Sequence, residues 1–132
     1  MLLSKSRQTE VLVRYRGFTL IELLIAILIV ALLAAVGYPA YTSQLEYGRR
    51  TDAQRVLLES ANALERLYAA NGNYPAEFTP ANTGHYQLSY SVAADQLTYT
   101  LSAAPNDSAA SCGTLTLDQS GATTPTTDAC WK

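Results

Sequence analysis

The sequence predicts an α+β roll in which one long N-terminal helix packs on a three- to four-stranded antiparallel sheet. Three patterns support this: a continuous apolar run over residues 18–38, an apolar stripe of helical period over residues 39–71, and alternating segments within residues 72–132. A one-sided helix and a one-sided sheet each need a cover, and each can cover the other. At 132 residues, the chain has room for one small domain beyond the apolar helix.

Residues 18–38 are predicted to cross a membrane. Their only polar groups are Thr19, Glu22 and the hydroxyl of Tyr38. A helix of about 21 residues at about 1.5 Å per residue measures roughly 31 Å, the thickness of the hydrocarbon core of a bilayer. A carboxylate inside such a span costs roughly 2.5 to 3.5 kcal/mol, and less near its end. Glu22 therefore either finds a charged partner or reaches the interface as in an ordinary anchor.

Charge is unevenly distributed along the chain. Residues 1–17 carry four basic side chains and one acidic side chain, a net charge of +3, so the chain's total of −2 leaves −5 after Gly17. Positive charge just before an apolar span predicts a cytoplasmic N-terminal end and a translocated remainder. Residues 1–17 are interpreted as a leader peptide and are left out of fold reasoning.

The two cysteines, Cys112 and Cys130, both follow the span and are predicted to pair as a disulfide in an oxidising compartment. The bond closes a loop of about 19 residues, worth roughly 3 kcal/mol in the chain-entropy model. A metal site is the alternative, but two cysteines and the distant His85 do not make a zinc tetrad. The spacing of the three aspartates Asp107, Asp118 and Asp128 matches no calcium-binding loop either. We therefore expect no metal or cofactor.

The second half of the helix is predicted to run from about Tyr41 to Asn71, with a kink or loosened turn near Gly37 and Pro39. Gly72 and Pro75 supply the stop. Its predicted apolar stripe consists of Ala53, Val56, Leu57, Ala61, Leu64, Leu67 and Tyr68. Oppositely charged side chains at helical spacing predict a solvated face, and the pairs are Glu46–Arg50, Asp52–Arg55 and Arg55–Glu59. Arg49 and Arg50 could also serve contacts between subunits.

After a loop to about Gly84, the chain alternates with the period of a strand. The first predicted strand places Tyr86, Leu88, Tyr90 and Val92 on one face, and the second places Leu97, Tyr99, Leu101 and Ala103 on one face. Residues 93–96 form the predicted hairpin turn between them. A third strand is expected over residues 114–118 and a short fourth over about 122–124, before Pro125 interrupts it.

The string Gly17-Phe18-Thr19-Leu20-Ile21-Glu22-Leu23-Leu24 resembles the class III signal of type IV prepilins and related pseudopilins, and the match continues through Tyr38-Pro39-Ala40-Tyr41. The resemblance implies that a membrane-embedded prepilin peptidase cuts between Gly17 and Phe18 and that the new amine of Phe18 is methylated. It also implies that Glu22 faces the Phe18 amine of a neighbouring subunit. A cation and an anion that are each costly in an apolar bundle become tolerable as a pair.

The remainder resembles the small minor pilins of the type IVa pilus, a group that includes DNA-receptor competence pilins. The resembling segments are residues 49–54, residues 71–75, residues 112–121 and the ending Cys130-Trp131. It implies a non-catalytic subunit held in the bacterial inner membrane and then packed into an extracellular pilus, which serves motility, adhesion and DNA uptake. Its implied partners are other pilins and the peptidase/methylase.

Competing hypotheses differ in class. A DNA receptor could use tyrosines together with Arg49, Arg50, Arg55 and Arg66, but the mature chain has a net charge near −5 and only one lysine. A secretion pseudopilin shares the signal, and an ordinary anchored periplasmic domain would keep its leader. An enzyme is not expected, because the lone His85 has no nucleophile and orienting group to act with.

Overall fold

The computed structural model describes residues 16–131, which form two compact units that divide between Tyr38 and Pro39. One helix, α1 (Leu20–Asn71), runs through the end of the first unit and the start of the second. Four strands follow it: β1 (Tyr86–Val92), β2 (Tyr99–Pro105), β3 (Leu115–Asp118) and β4 (Thr123–Thr124). Apart from residues 16 and 17, the predicted leader lies outside the described residues, as does Lys132.

The first unit contains the start of α1 and no core of its own. Thr19 caps the helix, since its hydroxyl oxygen accepts a hydrogen bond from the backbone N–H of Glu22 at 3.2 Å and its carbonyl accepts one from Leu23 at 3.1 Å. Every residue over 16–38 is exposed. The first half of α1 is long and apolar enough to cross a membrane.

The helix is continuous at Pro39, which lies inside its bounds, so the kink expected there stays a prediction. In the turn that follows, the hydroxyls of Thr42 and Ser43 each donate to a backbone carbonyl, those of Pro39 and Ala40, at 3.0 Å. These are bonds that helical threonine and serine make back to the preceding turn, and they do not involve the carbonyl of Ala35, which lacks its usual donor because Pro39 has no N–H.

The predicted end of the helix is confirmed. Gly72 follows the last helical residue with a φ of +77°, the left-handed conformation that glycine adopts without strain. Its N–H donates to the carbonyl of Tyr68 at 2.7 Å and so closes the last turn.

The strands form one antiparallel sheet in the order β1-β2-β3-β4. β1 and β2 pair from Tyr86 opposite Pro105 to Val92 opposite Tyr99, so the connecting turn has six residues, 93–98. The prediction that Leu97 belongs to the second strand was wrong: Leu97 lies in this turn and is 51% exposed. The alternation already begins at Leu97, two residues before Tyr99, but pairing with β1 begins only at Tyr99 and decides where the strand starts.

One buried cluster joins the stripe of α1 to the inward face of the sheet. It contains Ala53, Val56, Leu57, Leu64, Tyr74, Tyr86, Leu88, Tyr99, Leu101, Ala103, Leu115 and Leu117. The stripe ends earlier than predicted, because Leu67 and Tyr68 are 38% and 37% exposed.

The loop between α1 and β1 supplies part of this core. The ring of Tyr74 lies 4.7 Å from that of Tyr68 and 4.7 Å from that of Tyr99, centroid to centroid. Phe78 extends the group through Tyr90, with ring centroids 5.6 Å apart. The loop therefore closes one end of the core with aromatic side chains.

Candidate processing and assembly site

The Gly17–Phe18 peptide bond lies in an exposed segment just before α1. Residues 16–19 have no regular secondary structure, and Phe18 is 84% exposed. An added Cβ at Gly17 would meet no atom of this chain within 4 Å. Nothing in the described residues therefore blocks access to this bond or requires glycine at its amino side.

Glu22 occupies the third position of α1, and Thr19 is its capping residue. A threonine cap followed three residues later by glutamate has the sequence of a capping box, which our sequence analysis missed although the spacing was visible. A carboxylate in the first turn is also favoured by the helix macrodipole. The bond that is seen is the one from the Glu22 N–H to Thr19, and the position of the carboxylate in the first turn suits the helix dipole independently of the pairing implied by the family resemblance. Within the described chain, no side chain forms an ion pair with it.

The apolar side chains beside Glu22 form an unpartnered surface within the first unit. A shallow groove there is lined by Leu20, Leu23, Leu24, Ile27, Leu28 and Ala31. Such a continuous exposed apolar surface is normally covered by lipid or by another protein.

The arginines considered for DNA binding occupy different environments. Arg55 is exposed and bonds both Asp52 at 2.8 Å and Glu59 at 2.7 Å, which raises its pKa. Arg50 is only 8% exposed, and its guanidinium donates to the carbonyl of Ala129 at 3.1 Å. These two cations are therefore occupied within the chain. Elsewhere in residues 16–131, Arg49 and Arg66 form no ion pair.

Glu46 and Arg50 do not belong to a solvated charged face, contrary to that part of the sequence prediction. The Glu46 carboxylate lies 3.9 Å from the Arg50 guanidinium and accepts hydrogen bonds from the hydroxyl of Ser111 at 2.6 Å and its N–H at 2.8 Å. The two hydrogen bonds from Ser111 lower the pKa of Glu46 against the opposing effect of burial, and the charge of Arg50 lowers it by a smaller amount. Both side chains hold the C-terminal segments against the helix.

Cys112 and Cys130 form a disulfide, with their Cα atoms 5.8 Å apart. The bond joins the segment before β3 to the end of the chain. Gln54 is buried beside it and donates a short hydrogen bond to the carbonyl of Cys130. Trp131 continues the attachment, since its indole N–H donates to the carbonyl of Thr124 at 3.0 Å.

The remaining candidate side chains are dispersed. His85 is exposed at a groove between the helix and the strand ends. Asp107 and Asp118 accept hydrogen bonds from N–H groups two residues further on, at 2.9 Å, and thereby form local turns. Over residues 16–131, no three His, Cys, Asp or Glu side chains are grouped as metal ligands.

Comparison with known families decides the identity of the chain. Residues 12–38 match the prokaryotic N-terminal methylation motif, and residues 39–116, more than half of the chain, match the family model described as "Type IV minor pilin ComP, DNA uptake sequence receptor". The chain belongs to the type IV minor pilin family.

Similar proteins agree with this assignment. A solved type IV pilin from Shewanella oneidensis is 46% identical, with a TM-score of 0.62, over 66% of this chain and 98% of that one. The non-core minor pilin PilV of Neisseria meningitidis, at 21% identity and a TM-score of 0.52 over 61% of this chain and 86% of its own, shares the fold. "Prepilin peptidase-dependent protein D" of Escherichia coli K12 is 42% identical over 45% of this chain, and the match spans only 40% of that protein.

The family assignment confirms the predicted α+β fold and pilin membership, and it bears on the two units separately. The methylation motif of this minor pilin contains Gly17, Phe18 and Glu22, whereas the minor-pilin model covers most of the second unit. The methylation motif therefore falls in the first unit, and the match to the minor-pilin family falls in the second.

Proposed function

We propose that this minor pilin is a structural subunit of a type IV pilus, stored in the bacterial inner membrane and then packed into the filament through the first half of α1. The observation that carries the proposal is the apolar stretch of that helix, none of which is buried within the chain. Lipid covers such a surface before assembly and neighbouring pilin helices cover it afterwards. The subunit would serve pilus-dependent motility, adhesion or DNA uptake.

In this proposal, a prepilin peptidase cuts between Gly17 and Phe18, and the Phe18 amine is then methylated. The exposed segment before Thr19 supports the first step, because a protease needs an accessible, irregular stretch of backbone. The basic residues that precede Gly17 keep the cleaved end on the cytoplasmic side. The domain after residue 38 then lies in the periplasm.

Gly17→Ser tests the processing step. Because an added Cβ meets no atom within 4 Å, the substitution is expected to leave the fold intact and to act only on recognition by the peptidase. Precursor should accumulate in the membrane, measured as a larger protein by immunoblotting and as unmethylated N-terminal peptide by mass spectrometry. Gly48→Ser, at a glycine inside α1 with equal free space, is the control. Normal cleavage of the Gly17→Ser chain would contradict the assigned site.

Glu22 is proposed to pair with the Phe18 amine of the adjacent subunit and thereby to set the register of assembly. Glu22→Gln keeps the size and removes the charge, so it should be processed normally but enter filaments poorly. Quantitative mass spectrometry of sheared filaments, normalised to the membrane pool, measures the defect. Glu59→Gln removes an exposed carboxylate from the same helix and should incorporate normally. Equal incorporation of both variants would show that the Glu22 charge has no such role.

Filament composition tests the subunit assignment itself. Sheared surface filaments from wild-type cells should contain this chain, beginning at a methylated Phe18, at low abundance relative to a major pilin. Its absence from filaments, with the mature protein confined to the membrane, would contradict the proposal.

DNA binding is the second candidate function, because the description of the matching family model names a DNA uptake sequence receptor. The charges of this chain argue against it: Arg50 and Arg55 are occupied by internal bonds, and the chain after Gly17 has a net charge of −5. Of the four arginines after Gly17, Arg49 and Arg66 are left for phosphate contacts. We expect the full-length chain in detergent micelles to leave labelled duplex unshifted at low salt. A shift that Arg49→Ala with Arg66→Ala abolishes would instead establish the receptor function.

A further inference from the structure

Three side chains on one face of α1 bind the backbone on both sides of the disulfide. Glu46 accepts from the N–H and hydroxyl of Ser111, the residue before Cys112. Arg50 donates to the carbonyl of Ala129, the residue before the second cysteine, and Gln54 donates to the carbonyl of Cys130 itself. We call Glu46, Arg50 and Gln54 the alignment face. Both cysteine segments are thus attached to the helix through groups other than sulfur.

The alignment face brings the two cysteine segments together. The Glu46 carboxylate, which is bonded to Ser111, lies 3.9 Å from the Arg50 guanidinium, which is bonded to Ala129. The Cα atoms of Cys112 and Cys130 are 5.8 Å apart. Two side chains one helical turn apart therefore hold the two cysteine segments side by side.

Burial makes the contacts of Arg50 and Gln54 specific, whereas the Glu46 side chain is 34% exposed. Arg50 and Gln54 are 8% and 6% exposed, and a buried polar group that loses its partner costs more than the bond contributed. The exposed face of the same helix behaves differently, because Arg55 bonds Asp52 and Glu59, and within residues 16–131 none of these three side chains forms a hydrogen bond to the C-terminal segments. The attachment is therefore a property of the alignment face and not of charged helix residues in general.

We propose that the alignment face docks both cysteine segments on α1 before the disulfide closes, so that oxidation joins thiols that are already in position and docking persists after reduction. In the reaction with glutathione disulfide, the two thiols lose two protons and two electrons and form the S–S bond. The oxidant is reduced to two glutathione thiols. This role concerns folding of the second unit and is independent of filament assembly.

The test is the thiol–disulfide equilibrium of the full-length chain in detergent micelles against mixtures of reduced and oxidised glutathione. Glu46→Ala removes an ionised acceptor of two hydrogen bonds and should lower the equilibrium constant for closing the bond about tenfold. Arg50→Ala should act in the same direction. The matched controls Glu59→Ala and Arg55→Ala remove the same groups from the exposed face and should stay within about twofold of wild type. Equal constants for Glu46→Ala and Glu59→Ala would overturn the proposal.

A second measurement separates docking from general loss of stability. In the Cys112→Ser, Cys130→Ser double variant, the amide of Ser111 should still exchange slowly with solvent deuterium. Adding Glu46→Ala to this variant should make the Ser111 amide exchange fast, while the amides of β2 stay protected. Fast exchange at Ser111 in the double variant would overturn the proposal. If Glu46→Ala unfolds the domain, Glu46→Gln serves as the test variant. It keeps a hydrogen-bond acceptor without the charge, so its equilibrium constant for closing the disulfide should lie between those of Glu46→Ala and wild type. A constant equal to that of Glu59→Ala would count against docking by the charge.

Discussion

Residues 16–38 and residues 39–131 are both rich in leucine and other apolar side chains, but they differ in what covers those side chains. In the first unit every residue is exposed, whereas the second encloses Leu57, Leu64, Leu101 and Leu115 completely. A helix that is apolar on all sides cannot bury its side chains within its own chain, so lipid or other helices must cover it. A helix with one apolar stripe needs only a sheet, and residues 86–124 provide one. The chain therefore combines a segment made for assembly with a domain that completes its own core.

The largest difference between the two units should appear on truncating a leucine in each. Leu57→Ala empties space in the closed core and should lower the free energy of unfolding of the second unit by about 2–5 kcal/mol. Leu28→Ala, in the exposed first unit, should leave that free energy unchanged. Denaturant unfolding of the full-length chain in micelles, followed by near-ultraviolet circular dichroism, measures both. A similar loss for both variants would mean that the first unit contributes to the core.

The disulfide should have the next largest effect, confined to the second unit. Replacing both cysteines by serine frees a loop of about 19 residues in the unfolded chain and should lower stability by roughly 3 kcal/mol. Membrane insertion depends on the first unit and should be unaffected, as measured by carbonate extraction. Loss of insertion in the double variant would show that the units are not independent.

Alkaline pH should destabilise the second unit through its buried tyrosines. Burial raises the pKa of Tyr99 to about 12 and, with help from the hydrogen bond to Glu65, raises the pKa of Tyr74 further. Since both folded-state pKa values exceed the unfolded value near 10, their contribution to stability is complete below about pH 10 and is lost as pH rises toward 12. Unfolding should therefore accompany the rise in tyrosinate absorbance. Tyr99→Phe should move the transition to higher pH, whereas Tyr41→Phe, at a residue 64% exposed, should not.

The smallest effect on stability is expected at Arg55, a residue of the second unit that is exposed as the residues of the first unit are. Arg55→Ala breaks two ion pairs that lie in solvent, and pairs of this kind contribute little. The denaturation midpoint should not change measurably, and the result should be the same in high salt. Arg50→Ala, which removes a guanidinium that is 8% exposed and bonded to the carbonyl of Ala129, should lower the midpoint clearly. A larger effect of Arg55→Ala than of Arg50→Ala would show that the exposed charge contributes more to stability than the one bonded to the C-terminal segment.

Several elements were predictable because their signals are local. Gly72 predicted the helix end through a backbone conformation that few other residues adopt, and the alternation in residues 86–92 predicted β1 and its inward face. Other features were predicted incorrectly or not at all. Leu97 continues the alternation of β2 but lies outside the pairing register, and Tyr74 looked like part of a helix stop although its ring closes the core.

Local signals were enough to predict the apolar span, the processing signal, the end of α1 and the class of fold, since each depends on neighbouring residues or on a regular period. That Glu46 and Arg50 hold the C-terminal segments while Arg55 stays in solvent is visible only in the folded domain. The pairs Glu46–Arg50 and Arg55–Glu59 are both four residues apart, so helical spacing does not distinguish them. What separates them is the distant chain around Ser111 and Ala129, which folding brings to one face of the helix and not to the other.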